Sequence, residues 1–492
     1  MNNEFFNLID DPWVPVLMLN GTTHRVSLQE LFAKADAISD LALNPYERIA
    51  VIRLLVCISM AALGEENLLD EIRWKACLPK LSESVLDYLK KWHQRFNLYG
   101  EHAFMQPDEL FAEEKAKACC DKLFPHLSSG NNNTLFDHQA GEGERKINDA
   151  CRIIGLLTYI NFSAGGQHAK CYWSTEETSA SVSLAPSREK SMLHTMILGE
   201  NFLQTVWLNL VTQDIVNSLP EKNIGRPIWE MDDLSRTNIE GKGIEKTLLG
   251  RLVPLSRVIK LEHSQHLCIM GEGLKYAQLP AAREVMGTTT RCKDPKDNEK
   301  ALYVGASSSK LPWRDLQAIL SQTEKHGTPV LRHLKSLPQD DEFVIWTGGL
   351  ITNQAKDEAV VEWTARLSGT LLTDPALTKY QNGIDFANKC LVKLHFALKE
   401  YVDGIIISET KKQNRTSVPD AVKVPAERFF WDELSVYQPL LTAIAEDREN
   451  ADSKDWQQIV ESAAKHAYEY ACPKINGRQI AAYVNGLKKL VK

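Results

Sequence analysis

Trp346-Thr347-Gly348-Gly349-Leu350-Ile351-Thr352-Asn353-Gln354-Ala355 follows the short apolar run Phe343, Val344, Ile345. Two extended runs around turn residues read as a hairpin or a tight strand connection. The end of the stretch carries neutral side-chain amides, each both donor and acceptor. Such a tip can contact base edges without the indiscriminate pull of Lys or Arg on phosphate. Taken alone, an Asn-Gln pair here is ordinary turn chemistry. The stretch also stands close to where the chain changes character, because strand patterns largely disappear after about residue 375.

Beyond that point the helical period takes over. Tyr380 to Tyr401, Pro425 to Glu446, Asp452 to Ala471 and Gly477 to Val491 each carry an apolar stripe. Four such helices predict a four-helix bundle. Upstream, residues 5–33 read as short strands and turns, with Asn20-Gly21 as a hairpin signal and a helix opening after a Ser27 cap. Pro45 to Leu63 reads as an apolar helix, and Leu68 to Phe96 has helical period. Residues 107–150 and the loop from Asn161 through Gly165-Gly166-Gln167 are irregular. Residues 200–346 mix helices and strands without βαβ regularity. The expected fold is therefore α+β: a large mixed N-terminal domain, 1–375, followed by a C-terminal four-helix bundle, 376–492.

The 492 residues carry a formal net charge of −7, with 43% hydrophobic and 25% charged residues. That is an ordinary globular composition, and its acidity argues against a free-standing nucleic-acid binder. Ten cysteines are scattered without a Cys-x-x-Cys pair, which announces no ribbon-type zinc site. The polar, acidic start lacks the positive region of a secretory signal, and the run Ile49 to Leu63, interrupted by Arg53, is too short for a bilayer. We therefore expect reduced thiols, no membrane association and a cytoplasmic location.

Catalytic signatures are missing. There is no phosphate-binding loop, and Gly141-Glu142-Gly143 lacks the third glycine of a dinucleotide fingerprint. There is no nucleophile elbow and no His-Glu-x-x-His; His263 and His266 stand without a carboxylate motif. Asp10-Asp11 and Asp340-Asp341-Glu342 are the carboxylates a metal-dependent nuclease would use, but both sit at turns, where solvated or capping carboxylates are common. No enzyme activity, cofactor or metal is expected. Features suited to nucleic acid are local. Gly165-Gly166, with Lys170 after it, can bring bare backbone N–H groups to a phosphate or groove edge. Lys242, Lys246, Arg251, Arg257 and Lys260, and the loop Lys411, Lys412, Arg415, read either as solvated surface or as phosphate contacts. Phe136 can stack on a base or anchor its loop.

In these motifs and their order the chain resembles the CasA family, the large subunit of type I-E CRISPR Cascade surveillance complexes. The resemblance is carried by Phe6-Asn7-Leu8-Ile9-Asp10-Asp11-Pro12-Trp13-Val14-Pro15-Val16, by Arg53-Leu54-Leu55, and by Phe104-Met105-Gln106, with Ala103 where the family has Pro. It continues through Leu135-Phe136-Asp137-His138, Gly165-Gly166, Leu198-Gly199-Glu200-Asn201-Phe202 and the Gly348 to Ala355 stretch. The resemblance implies a subunit that reads the short PAM beside a DNA target and starts R-loop formation in antiviral defence. Asn353 and Gln354 match a wedge that splays the first base pair, and Ala355 a residue packed on the PAM pairs. Gly165 and Gly166 match a loop that approaches the minor groove. Phe136, Asp137 and His138 match a loop that contacts the guide-RNA handle and a neighbouring subunit. Lys275 is the match for a PAM-contacting lysine, with Lys293 as its competitor. Some relatives carry a cysteine cluster where this chain has only Cys268 and Cys292. The implied partners are guide RNA, double-stranded target DNA, the backbone, small and handle-binding Cascade subunits, and a recruited helicase-nuclease. The bundle would contact small subunits and the displaced strand. The alternatives are a metal-dependent nuclease built on the two acidic clusters, and a protein- and RNA-binding scaffold without PAM sensing.

Overall fold

The computed structural model describes residues 6–125, 147–263, 266–293, 299–323, 326–353, 356–406 and 417–491. Gln354, Ala355, Phe136, Asp137, His138, Lys411, Lys412 and Arg415 lie outside the described residues. The chain divides into two compact units, Met1–Leu337 with Glu342–Leu367, and Pro338–Asp341 with Ser368–Lys492.

The first unit opens on β1 (Val14–Met18), paired antiparallel with β2 (Thr23–Val26) and β3 (Ile38–Leu41). Ser27 and Glu30 form a reciprocal capping box at the start of the helix Leu28–Ala33. Helix α1 (Pro45–Leu63) is buried on nearly all sides, as an apolar helix without a polar face must be. Its Arg53 is fully buried, and Glu284 meets the charge at 2.7 Å. Helix α2 (Asp149–Phe162) is capped by Asn148, which accepts from the Cys151 N–H at 2.9 Å. It ends at Ser163, just ahead of the glycine loop.

After short two-residue strands between Gly166 and Val182 comes β4 (His194–Leu198), and further on the antiparallel pair β5 (Arg257–Leu261) and β6 (Leu267–Glu272). The first unit closes with β7 (Glu342–Asn353) and β8 (Lys356–Ser368). β7 is the centre of a three-stranded sheet, hydrogen-bonded to β4 on one side and β8 on the other. β4 and β7 are antiparallel, running from His194↔Gly348 to Leu198↔Val344. Side-chain contacts 342–366, 346–362 and 353–358 run in opposite senses along β7 and β8, as in a hairpin.

Gly348 and Gly349 are not turn residues, contrary to the sequence reading. They lie inside the continuous strand β7. Close approach explains them: a Cβ on Gly348 would sit 2.5 Å from the Trp346 ring and 2.9 Å from the Val361 carbonyl, and one on Gly349 2.9 Å from the Met192 carbonyl.

The second unit is helical: α3 (Asp374–Ile405), α4 (Asp420–Val436), α5 (Gln438–Ala445), α6 (Ser453–Ala471) and α7 (Gly477–Val491). The second predicted helix is thus two pieces, α4 and α5, joined at Tyr437. It also begins five residues before Pro425, which lies inside α4. A proline there removes one backbone bond close to the start, and the turns beyond it continue. Small residues set the crossings. Gly383 admits the Leu441 side chain and its carbonyl accepts from Trp456 Nε1 at 3.0 Å, while Gly486 admits the Tyr468 hydroxyl.

Candidate nucleic-acid interface

Asn353, at the end of β7, is exposed, and its Nδ2 donates to Glu358 Oε1 at 2.9 Å across the strand pair. One donor of the amide is thereby occupied, which orients the side chain and leaves its carbonyl oxygen as an acceptor. One residue back, the Thr352 hydroxyl lies 2.6 Å from Ser191 Oγ, and the Thr352 N–H donates to the same oxygen at 3.2 Å. Lys190 and Ser191 both have left-handed backbones, with φ of +54° and +52°. Such conformations cost energy in non-glycine residues and persist where surroundings enforce them. Here the enforcing contacts are those that grip the hairpin.

The glycine loop uses its two glycines differently. Gly166 is exposed with φ +129° and open space where a Cβ would go, so backbone conformation alone calls for glycine. Gly165 has no such backbone. A Cβ there would lie 3.0 Å from the Val182 carbonyl and 3.2 Å from the Leu184 amide, a close approach that a side chain would fit only if the facing backbone gave way by a few tenths of an ångström. Gly166 and Gln167 pair with Val182 and Ser181. The Arg257 guanidinium donates to the carbonyls of Ala164 at 2.8 Å and Ser183 at 2.6 Å. Beside the loop, burial, with Arg257 and Lys122, pushes His168 down to about 4, so it is neutral at physiological pH.

The sequence reading places Arg257 and Arg251 among surface cations. Both are instead internal. Arg257 is 2% exposed and Arg251 4%, with Glu284 at 2.5 Å from the Arg251 guanidinium. A guanidinium can be buried when carboxylates and carbonyls fill its donor fork, which composition does not announce. Lys260 donates to the Asp108 carbonyl at 2.6 Å and Lys246 lies 3.7 Å from Glu245, while Lys242 is exposed. Residues 241–260 therefore present no continuous basic face.

Lys275 is 72% exposed, with its Nζ 3.5 Å from Glu272 Oε1. Glu272 accepts from the Ser179 N–H at 3.0 Å, two residues before the strand that pairs with the glycine loop. Glu272, which Lys275 faces, meets Ser179, Gly166 pairs with Val182, and Thr352, one residue before Asn353, meets Ser191, so the three features each border on residues 179–191. Lys293 ends the strand Thr289–Lys293, in register with Glu299.

In the acidic clusters, Asp10, Asp11 and Glu342 have protein partners. Asp11 accepts from the Asn7 N–H at 2.7 Å, Asp10 pairs with His93 at 2.7 Å, and Glu342 lies 3.3 Å from Arg366. Asp340 and Asp341 are exposed. Among the described residues, the group of three side chains that could hold a metal is Cys119, Asp121 and His266, their ligand atoms within 4.8 Å of one another. His263 is not part of it and packs edge-on against Tyr99. No motif or spacing announces this group. Asp121 and His266 are brought to 2.9 Å by the pairing of Ala118–Cys119 with β6, where they share a hydrogen bond.

A family model described as CRISPR-associated protein Cse1 matches residues 7–467. The chain is similar to the CRISPR-associated protein CasA/Cse1 of Thermus thermophilus, 28% identical over 488 residues covering 95% of this chain and 92% of the relative. Its fold is like that of Thermobifida fusca Cse1, with a TM-score of 0.79 at 17% identity over 99% of this chain and 96% of the other. It is also like that of a chain in a CRISPR RNA-guided surveillance complex, with a TM-score of 0.76 at 16% identity over 99% and 100% of the two chains.

Proposed function

This chain belongs to the CRISPR-associated protein Cse1 family, and from that premise we propose that it is the large subunit of a type I-E guide-RNA surveillance complex, reading the PAM in duplex DNA and opening the first base pairs. The observation that carries this reading is that the glycine loop, the hairpin carrying Asn353 and, through Glu272, the exposed Lys275 are each tied to one supporting segment, residues 179–191. Gly166 offers bare backbone to a groove edge, Lys275 offers a cation, and Asn353 begins a polar tip that continues into Gln354 and Ala355. Phe136, Asp137 and His138 would hold the subunit to the guide-RNA handle.

The minor groove displays a degenerate pattern of acceptors, so a reader of it tolerates several PAM sequences. Unstacking a base step costs about a few kcal/mol. The guide-DNA heteroduplex that follows is about as stable as the duplex it replaces. The wedge therefore needs only to lower the nucleation barrier, and no covalent chemistry is asked of this chain. Its net charge of −7 fits a subunit that supplies discrimination while its partners supply most of the phosphate affinity. The mixed domain, 1–375, would recruit a helicase-nuclease after pairing, and the bundle, 376–492, would meet the small subunits and the displaced strand.

The test is target-duplex binding by the complex assembled with and without this chain, using intact and scrambled PAM at one salt concentration. The reading predicts that preference for the intact PAM requires this chain. A preference that persists without it, or its absence when the chain is present, contradicts the reading. A scaffold role would leave binding indifferent to the PAM, and a nuclease role would show as metal-dependent cleavage by the purified chain.

A further inference from the structure

Arg188, beside the candidate interface, is a buried charge at 3% exposure. Its Nη1 makes two contacts that reach different parts of the reader. One is to the Phe162 carbonyl at 3.0 Å, the last residue of α2 before the glycine loop. The other is to Asp357 Oδ1 at 2.5 Å, the second residue of β8 after the hairpin tip. The guanidinium is thus a bracket with one arm on the root of each DNA-facing element.

Its own segment adds two further ties. The Ala185 N–H donates to the Ser163 carbonyl at 3.1 Å, and Ser191 holds Thr352. Burial pushes the Asp357 carboxyl up, and Arg188 is the cation that opposes this. Arg188 Nε and Nη2 are buried without hydrogen-bond partners. Stability alone would be served as well by an apolar pair of similar volume, since desolvating two charges largely offsets their attraction. What the ion pair adds is direction: the two protons of one nitrogen, Nη1, on a planar guanidinium relate one backbone carbonyl to one carboxylate.

We propose that Arg188 is a positioning residue that sets the hairpin against the glycine loop, so that groove reading and base-pair wedging occur in one register. The proposal rests on the PAM-reading function above. A wedge displaced by about 1 Å keeps its residues but loses its alignment with the first base pair.

The experiment uses the assembled complex with wild-type chain, Arg188→Gln, Arg188→Lys and Asp357→Asn. Each is titrated with three targets: a fully paired duplex with intact PAM, the same duplex with scrambled PAM, and an intact-PAM duplex whose first base pairs are mismatched and already open. The proposal predicts that Arg188→Gln lowers affinity for the paired intact-PAM duplex by about tenfold or more, which is about 1.4 kcal/mol. The pre-opened target, which needs no wedge, should bind within about twofold of wild type. Arg188→Lys, which keeps the charge, should recover part of the loss. Asp357→Asn takes the charge off the hairpin arm and leaves Arg188 in place, so it reports on the same point if Arg188→Gln does not assemble, and it should show the same split between targets. Equal losses on paired and pre-opened targets, or wild-type binding to the paired duplex by both Arg188→Gln and Asp357→Asn, would overturn the proposal. A wild-type complex that does not distinguish intact from scrambled PAM would instead show that the PAM-reading function itself is wrong.

Discussion

At the stem of the hairpin support, Glu189 is half-buried next to the left-handed Lys190. Burial raises its carboxyl to about 7; the Leu279 N–H opposes the rise, Glu284 adds to it, and Arg251 and Lys190 oppose it. A folded-state value above the unfolded one means that the folded protein holds this proton more tightly. Stability from the protonated form is complete below about pH 4.5 and is lost as pH rises through about 7. Glu189→Gln keeps the neutral form at every pH. Between pH 5 and pH 8 the wild type should therefore lose about 1–3 kcal/mol relative to the variant, read by urea denaturation at both pH values. A constant difference between the two proteins would contradict the assignment. None of this was legible from the residue alone. Glu189 falls in the unremarkable stretch Pro186–Ser191, and its proton affinity comes first from burial, which only the packed chain supplies, with Glu284 adding to it. Gly165-Gly166 was legible, because few residues other than glycine can serve where backbone must lie bare or approach closely.

Among the elements, α1 is the buried helix that its apolar run announces, while the partner of its Arg53 is not written in that run. Arg53 looked like an interruption, yet it is fully buried and lies 2.7 Å from Glu284, which also meets Arg251 at 2.5 Å. Burial drives the Glu284 carboxyl up, but Arg251 and Arg53 outweigh it and hold it down at about 2. Arg53 also donates to the Leu252 carbonyl at 3.0 Å and to the Arg251 carbonyl at 2.5 Å, tying α1 to the helix Leu248–Leu252. Arg53→Met removes one partner of a buried pair and leaves these acceptors unmet. It should cost about 3–5 kcal/mol of stability, measured by chemical denaturation. A loss below about 1 kcal/mol would show that the network is dispensable. The long helices after residue 373 were readable because a 3.6-residue stripe repeats over many turns. The glycine pair in β7 was misread because turn chemistry and close packing both call for glycine, and only the neighbours Trp346, Val361 and Met192 distinguish them.

Over the whole molecule, the change from mixed to helical chain was visible in the disappearance of strand patterns, while the joining of distant segments was not. Arg188 meets Phe162 and Asp357, 26 and 169 residues away. Cys119 and Asp121 meet His266 across a similarly long span. Separations of that kind leave no periodicity to read. The central claim, that this subunit opens the duplex at the PAM, concerns the assembled complex and not any one residue's stability. It is tested most directly by placing a fluorescent base analogue in the first target pair beside the PAM and following its unstacking as the complex binds. The comparison is wild type against the double variant Asn353→Ala, Gln354→Ala, at one salt concentration. The account predicts that the wild type unstacks the analogue on intact but not scrambled PAM, and that the double variant assembles normally yet opens the pair at least about tenfold more slowly. Equal opening rates for the two proteins, or opening indifferent to the PAM, would reduce the hairpin tip to an ordinary turn and contradict the account.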